Sequence, residues 1–532
     1  MTMHRLTLAV VASLLPAGAT ASMARAQVPV PCERLAAQRL RNVTITAAVA
    51  ITDGRFTPPG SPVAGTGLPP FCRVTGVIAP TADSHIVFEL WLPLDHWNHK
   101  FSTVGNGGWA GSIGYNLLAG QLKRGYATAS TNTGHDAPAA GEDAAKFAFG
   151  HPERLVDFAS RAYHETTVDA KVLTTAFYGA APEHAYWIGC STGGCEGLME
   201  AQRYPDDFDG IVAGAPANNF TRLMAGDLDG TLALLQDPAS ALSPAAKGLI
   251  ARAAIAACDK IDGVADGVLE DPPACPFDPG VLQCAAGLSD VQCLTPAQVE
   301  ADRRVHRGLV DPASGRQIFP GLATSSEPGW VNGSPATALL IPISYYKWLV
   351  FRDSAWDWRT FSFGHPADAQ ASANADAMFA PILNATNPDL RDFQRRGGKL
   401  IQYHGWIDQL ISPQNSIDYY ESVIAFDAGG GKDRAAALRD VQSFYRLFMI
   451  PGMGHCSGGP GPNFFDMQTA LEQWVEHGVA PDVVIGSHLI GAGVSRTRPL
   501  CPYPSIARYG GRGSTDSAAN FSCGPPPAAR GG

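Results

Sequence analysis

A chain of 532 residues, 45% hydrophobic and 17% charged, is long enough for one large hydrophobic core and a second, smaller one. Its formal net charge is −10 and no basic cluster interrupts it, which argues against nucleic acid or an anionic membrane as a partner.

His4 and Arg5 precede a mostly apolar stretch, Leu6 to Leu15, and Ala24-Arg25-Ala26 forms an A-x-A cleavage site before Gln27. Residues 1–26 therefore read as a signal peptide, and the mature protein as secreted or periplasmic. The apolar stretch is too short to span a bilayer and no later run reaches ~18 apolar residues, so no membrane span is expected. In an oxidising compartment the eleven cysteines read mostly as disulfides, and the odd count leaves at least one over.

From Arg73 to about Asn132 the pattern is strand-like, as in Ile86 to Leu92, Phe101 to Val104 and Tyr126 to Ser130. Apolar residues at helical spacing follow from about Leu155 to Tyr178, with Gly179 where a C-terminal cap belongs. Then come a strand at Ala185 to Ile188, a tight turn, a helix from about Gly194 to Tyr204 and a buried strand at Ile211 to Ala213. This alternation predicts a mostly parallel sheet covered by helices, an α/β architecture. It breaks after Asn219. To about Asp392 the chain reads as irregular, rich in Pro, Gly and Asp, and holds four of the cysteines, as an inserted lid domain would. The pattern resumes with a strand at Lys399 to Tyr403, a helix near Ser416 to Ala425, a strand at Ser443 to Met449 and a helix near Phe465 to His477. The division expected is residues 27–218 as the first part of the core, 219–394 as the lid, and 395–532 as the second part with a stapled tail.

Gly189-Cys190-Ser191-Thr192-Gly193 is a G-x-S-x-G elbow following an apolar strand and opening a helix, the context in which such a serine is a nucleophile. A hydrolase of this kind needs an acid and then a histidine further along. Asp408 follows one core strand, and His455 sits in the Gly-rich loop Pro451 to Cys456 after the last one. His135, His151, His164 and His404 read as structural. Cys190 precedes the serine and Cys456 follows the histidine, so an assembled triad would bring the two sulfurs within bonding reach. That bond would close a loop of more than 260 residues, worth roughly 5 kcal/mol in the chain-entropy picture. Two backbone N–H groups must also meet the oxyanion. Thr192 supplies one; Gly107 or Gly108, in Gly105-Asn-Gly-Gly-Trp109, supplies the other.

Asp259, Asp262 and Asp266 are closely spaced among glycines, a pattern suited to Ca²⁺, which also takes backbone carbonyls such as those of Val264 and Val268. The spacing is not that of an EF-hand. In the lid, Trp330, Tyr345, Tyr346, Trp348 and Phe351 are candidates for an acyl pocket, and Arg352 for pairing with a substrate carboxylate.

Together these residues resemble the tannase and feruloyl esterase family, marked by a Cys-Ser, Asp, His-Cys arrangement with its two cysteines joined. The resemblance spans nearly all of the mature chain. It rests on Gly105 to Gly111, Gly189 to Gly194, Ala213 to Ala217, the aspartate loop, Asn384 to Leu390, His404 to Asp408 and Gly452 to Cys456. It implies an α/β-hydrolase core with an inserted lid and the triad Ser191, Asp408 and His455. It also implies a structural Ca²⁺ on Asp259, Asp262, Val264, Asp266 and Val268, and no organic cofactor. The disulfides it implies are Cys32–Cys72, Cys190–Cys456, Cys258–Cys275, Cys284–Cys293 and Cys501–Cys523, with Cys195 left over as a small buried hydrophobe. Small aromatic esters are the substrates implied, feruloyl-type first, with gallate esters and terephthalate or phthalate half-esters as alternatives. A carboxypeptidase or acyltransferase with the same triad, and a catalytically silent binding protein, are the rival classes.

Overall fold

The structure is a computed structural model that describes residues 29–59, 65–136, 138, 141–285, 292–330, 340–491 and 493–526. The signal peptide expected over residues 1–26 lies outside the described residues. Among those described, no helix is long and apolar enough to cross a membrane.

Nine strands form the central sheet: β1 (Val43–Ile51), β2 (Phe71–Ile78), β3 (Ile86–Pro93), β4 (Lys100–Val104), β5 (Ala127–Thr131), β6 (His184–Cys190), β7 (Gly210–Gly214), β8 (Lys399–Gly405) and β9 (Tyr445–Ile450). Their spatial order is β1-β2-β3-β5-β4-β6-β7-β8-β9. The pairs β1–β2, β2–β3 and β3–β5 are antiparallel, and every pair from β5 through β4 to β9 is parallel. The parallel strands are short apolar runs because helices cover both faces; all five residues of β5 and of β7 are buried.

The helices that matter for the site are α1 (Tyr115–Lys123), α2 (Ala162–Tyr178), α3 (Thr192–Arg203), α4 (Phe220–Leu235), α5 (Pro244–Cys258), α6 (Pro296–Arg307), α7 (Pro366–Leu383), α8 (Pro413–Ala428) and α9 (Met467–His477). The helical stretch expected from Leu155 begins at Pro152, passes through one π-helical turn at Asp157–Arg161 and ends where Gly179 adopts φ 73°.

The segment after Asn219 corrects the expectation of irregular chain, since α4 to α7 fall within it. Pro244, Pro296 and Pro366 sit at the first helical turn of α5, α6 and α7, where the missing N–H has no intrahelical partner to lose. Ser243 caps α5 by accepting from the Ala246 N–H at 3.1 Å, just ahead of Pro244. Thr295 and Gln298 form a reciprocal capping box around Pro296 at the start of α6. Proline that read as a mark of irregular chain is at these positions a start signal.

Five disulfides form, Cys32–Cys72, Cys190–Cys456, Cys258–Cys275, Cys284–Cys293 and Cys501–Cys523. Cys195 is free and buried on α3, its thiol pushed up to about 12 by burial and by the neighbouring Glu196.

Candidate active site

Strand β6 delivers Ser191 at a turn that only small neighbours permit. Ser191 has φ 65° and ψ −124°, a sparsely populated region for a residue with a side chain, costing of order 1–3 kcal/mol. The surrounding backbone holds it there: the Ser191 N–H donates to the Gly214 carbonyl at 2.9 Å, and its carbonyl accepts from Gly194 and Ala217. A Cβ at Gly189 would stand 2.3 Å from the Gly193 oxygen, and one at Gly194 2.3 Å from the Gly214 oxygen. Glycine at these positions is what lets the elbow pack against β7.

Asp408 lies three residues beyond the end of β8 and is fully buried. Its Oδ1 accepts from the Leu410 and Ile411 N–H groups at 2.8 and 3.0 Å. Its Oδ2 faces His455 Nδ1 at 2.7 Å and His404 Nε2 at 3.1 Å. Burial alone would raise this carboxyl; the adjacent His455 charge and the bonds from both histidines outweigh it and hold the group well below the usual carboxylate range. His404 is therefore more than the structural residue its sequence position suggested. It is fully buried, fixed by Ser416 Oγ at 2.7 Å from Nδ1, and shares the carboxylate with His455.

The bond between Cys190 and Cys456, with Cα atoms 6.0 Å apart, fastens the residue before Ser191 to the residue after His455. Ser191, Thr192, Gly108 and His455 line one cavity; Gly107 does not line it. The Thr192 hydroxyl donates to the Gly108 carbonyl at 2.7 Å, and the Gly193 N–H donates to the Asn106 carbonyl at 2.8 Å. Glu196, one turn along α3, closes this connection from below: its Oε2 accepts the Asn106 N–H at 2.9 Å. Burial pushes the Glu196 carboxyl up to about 7. Neither Glu196 nor His404 was singled out from sequence as touching the site. His404 stands four residues before Asp408, near the end of β8; Glu196 had no sequence signal.

The walls of the cavity come from α4 and the chain after α6: Phe220, Leu223, Met224, Phe319 and Trp330, with Leu410 and Ile411 from the Asp408 loop. Of the aromatic candidates only Trp330 lines it. Trp348 is buried with its indole N–H on the Glu142 carbonyl, Phe351 stacks on Trp356 at 5.1 Å, and Tyr345 and Tyr346 are fully packed side chains. Arg352 is exposed, over the Phe149 ring. These rings join the main hydrophobic cluster, where large apolar side chains gain most from burial, and the structure places Trp348, Phe351 and Arg352 outside the cavity that Ser191 lines. The cavity instead carries Asp227, whose carboxyl is raised well above its ordinary value by burial and by the Asp408 charge. It also carries Arg304, which binds Asp229 through two guanidinium nitrogens.

The acidic loop lies apart, after α5. Asp259 Oδ1 accepts from Gly267 N–H at 3.1 Å, Asp262 Oδ1 from Val264 N–H at 2.8 Å and Asp266 Oδ1 from Val268 N–H at 3.2 Å. Arg498 pairs with Asp266 Oδ2. Burial, and then the charges of Asp266 and Asp259, push the Asp262 carboxyl up to about 6. The donors are all hard oxygens, and their mutual repulsion is what a divalent ion would relieve, so the chemistry suits Ca²⁺.

The sheet, the elbow on it and the helices around it make an α/β-hydrolase. Residues 72–524 match the family model described as tannase and feruloyl esterase, and the chain belongs to that family. It is 38% identical to an uncharacterized esterase of Xanthomonas campestris over 97% of this chain and 94% of the relative. It is 35% identical to the mono(2-hydroxyethyl) terephthalate hydrolase of Piscinibacter sakaiensis over 86% of each chain. The crystal structure of feruloyl esterase B from Aspergillus oryzae superposes with a TM-score of 0.83 at 32% identity, over 92% of this chain and 99% of that one. The chain is accordingly a carboxylic-ester hydrolase.

Replacing Cys190 and Cys456 together by serine is expected to lower stability by roughly 5 kcal/mol on loop-closure grounds, read by denaturant unfolding without reductant. Ester turnover should fall with it. Glu196→Ala leaves the Asn106 N–H without its acceptor, at about 1–3 kcal/mol, and should lower kcat more than it raises KM. Glu196→Gln, whose side-chain carbonyl accepts the same N–H, should keep most of the activity in the same steady-state assay.

Proposed function

We propose that this protein is an exported serine esterase that releases phenolic acids, feruloyl-type first, from their esters, with Ser191, His455 and Asp408 as its triad. The observation that carries the reading is the Asp408–His455 bond ending at a cavity that Ser191 also lines. His455 takes the Ser191 hydroxyl proton as the oxygen attacks the ester carbonyl. The Gly108 and Thr192 N–H groups receive the oxyanion, Gly108 being preferred to Gly107 because it borders the cavity. The alcohol leaves with the proton from His455, an acyl-serine remains, and a water activated by the same ring releases the acid and restores Ser191. Asp408, buried and held ionised, orients the ring and stabilises the imidazolium.

Two features of the cavity favour a phenol over a second carboxylate on the acyl group. Asp227 presents a carboxyl that burial and the Asp408 charge raise well above its ordinary value, able to exchange hydrogen bonds with a hydroxyl. Arg304, the cation in that wall, is already neutralised by Asp229. Methyl ferulate should therefore be turned over faster than methyl cinnamate or mono(2-hydroxyethyl) terephthalate, measured by acid release. Ser191→Ala should abolish all three, and Asp227→Leu should erase the ferulate-over-cinnamate preference. Residual turnover of ferulate by the serine variant sinks the triad assignment.

Residues 219–394 act as the lid of this site, and the acidic loop within them holds a structural Ca²⁺ on Asp259, Asp262 and Asp266 with the Val264 and Val268 carbonyls. The ion would supply charge neutralisation to a loop crowded with carboxylates, and no catalytic step passes through it. Removing Ca²⁺ with a chelator should lower Tm by several degrees and Ca²⁺ should restore it, while Asp262→Asn should remove that response. An unchanged Tm in wild type sinks the calcium assignment. The five disulfides support an oxidising, extracytoplasmic location.

A further inference from the structure

Helix α6 carries Asp302 and His306 four residues apart, so the two side chains leave one face of the helix. The turn at Glu327–Gly329 brings a third group to that face. Glu327 Oε1 lies 3.0 Å from His306 Nε2, and Asp302 Oδ2 lies 3.7 Å from the same nitrogen. One ligand atom from each of the three falls within 4.8 Å of the others. Asp302 and Glu327 are both fully buried. Both oxygens of Asp302 and Oε2 of Glu327 are buried without a hydrogen-bond partner, a condition native interiors rarely leave unanswered. His306 is oriented from behind: its Nδ1 lies 2.8 Å from the Leu322 carbonyl as donor, which turns Nε2 toward the carboxylates. Glu327 Oε1 is itself held by the Ser325 N–H at 3.1 Å. The neighbouring guanidinium groups face other acids, Arg304 on Asp229 and Arg303 on Asp278, and Lys247 donates to the Trp330 carbonyl.

We propose that Asp302, His306 and Glu327 form a binding site for a divalent transition-metal ion, with Zn²⁺ as its probe. Two donors each ~2.1 Å from a tetrahedral zinc stand ~3.4 Å apart, midway between the two separations measured at His306 Nε2. A mixed nitrogen and carboxylate set suits zinc, whereas Ca²⁺ takes oxygen alone. A neutral imidazole and two carboxylates carry a charge that a divalent ion cancels. A ring nitrogen aimed by a backbone carbonyl behind it is the supporting arrangement of metal-bound histidines. The site is built into the wall of the catalytic cavity, because Arg304, Val305, Leu322 and Trp330, next to the three ligands, all line that cavity. A bound ion would clip α6 to the Glu327 turn and stiffen this wall; it touches no reacting atom.

The test uses the whole mature chain, stripped with chelator and returned to saturating Ca²⁺ so that the acidic loop is not the site being read. Zn²⁺ is titrated by calorimetry, and metal retained after gel filtration is measured by elemental analysis. One zinc per chain and a raised Tm are expected. Asp302→Asn and His306→Gln should each weaken binding about tenfold or more, while His164→Gln, in the separate His164–Glu200–Asp207 group, should leave it unchanged. Ester turnover by each variant reports that it has folded. If wild type retains no zinc, His306 is a protonated partner of two carboxylates and the proposal falls. It falls equally if zinc binding survives intact in both the Asp302 and the His306 variants, or is lost in the His164 variant.

Discussion

The Cys190–Cys456 bond sets a demand that much of the site's backbone answers. Cys190 ends β6, while Cys456 lies beyond the end of β9, and β7 and β8 stand between those two strands. Three strand spacings of ~4.8 Å make a gap of ~14 Å, which the loop after β9 must recross. It does so by passing over the end of β8, where Asp408 emerges, and this is why His455 meets Asp408 on its way back toward Ser191. The crossing is close. A Cβ at Gly405 would stand 2.3 Å from the Met453 oxygen, and Gly459 and Gly461 press against Gly452 and Pro451 with no room for a side chain. The glycines of this region are the steric condition for the base loop to lie over β8.

Electrostatics follows from the same crowding. Asp408 has no solvent around it, so its charge rests on two backbone N–H groups and two histidine rings. His455 is one of those two rings and is only slightly exposed, whereas His404 is sealed between Ser416 and the Asp408 loop. One histidine can thus change its proton during a reaction while the other keeps the carboxylate aligned. Beneath the elbow, α3 carries Glu196 and Glu200 inward, both buried, and burial raises both carboxyls. Of the two, Glu196 accepts the Asn106 N–H of the Gly105–Gly108 loop and so ties that loop to α3 behind Ser191.

The parts of this arrangement legible in the sequence are those encoded by adjacency. The elbow is five consecutive residues, the parallel strands are short continuous apolar runs, and the acid and base each follow such a run. Parts encoded by contact between distant residues were not legible. Glu196 meets Asn106 across 90 positions. The aromatic residues of the insert were assigned to the substrate because aromatic rings suit an aromatic acyl group. In the structure Trp348, Tyr345 and Tyr346 meet Glu142, Trp109 and Trp356 respectively, and Trp330 alone of that set lines the cavity. The insert's helices were missed because its Pro, Gly and Asp content read as irregular chain, whereas at Ser243-Pro244 and Thr295-Pro296 the pair is a helix cap and the first helical residue.

Reactivity and recognition are thereby carried by different parts of the chain with different constraints. Ser191, Asp408 and His455, the proposed triad, sit on loops fixed by the sheet, a disulfide and glycine-only contacts, so small substitutions there disturb geometry directly. The cavity wall rests on α4, α6 and the residues around Trp330, whose positions depend on helix caps, the Asp229–Arg304 pair and the cluster of Asp302, His306 and Glu327. Gly226 shows how tight that wall is, since a Cβ there would meet the Phe319 ring at 2.7 Å. A chain built this way can change the acid it accepts by altering Asp227 or its neighbours on α4 while the elbow, the base loop and their disulfide stay as they are. Relatives of one family named for feruloyl and terephthalate esters are what such a separation leads one to expect.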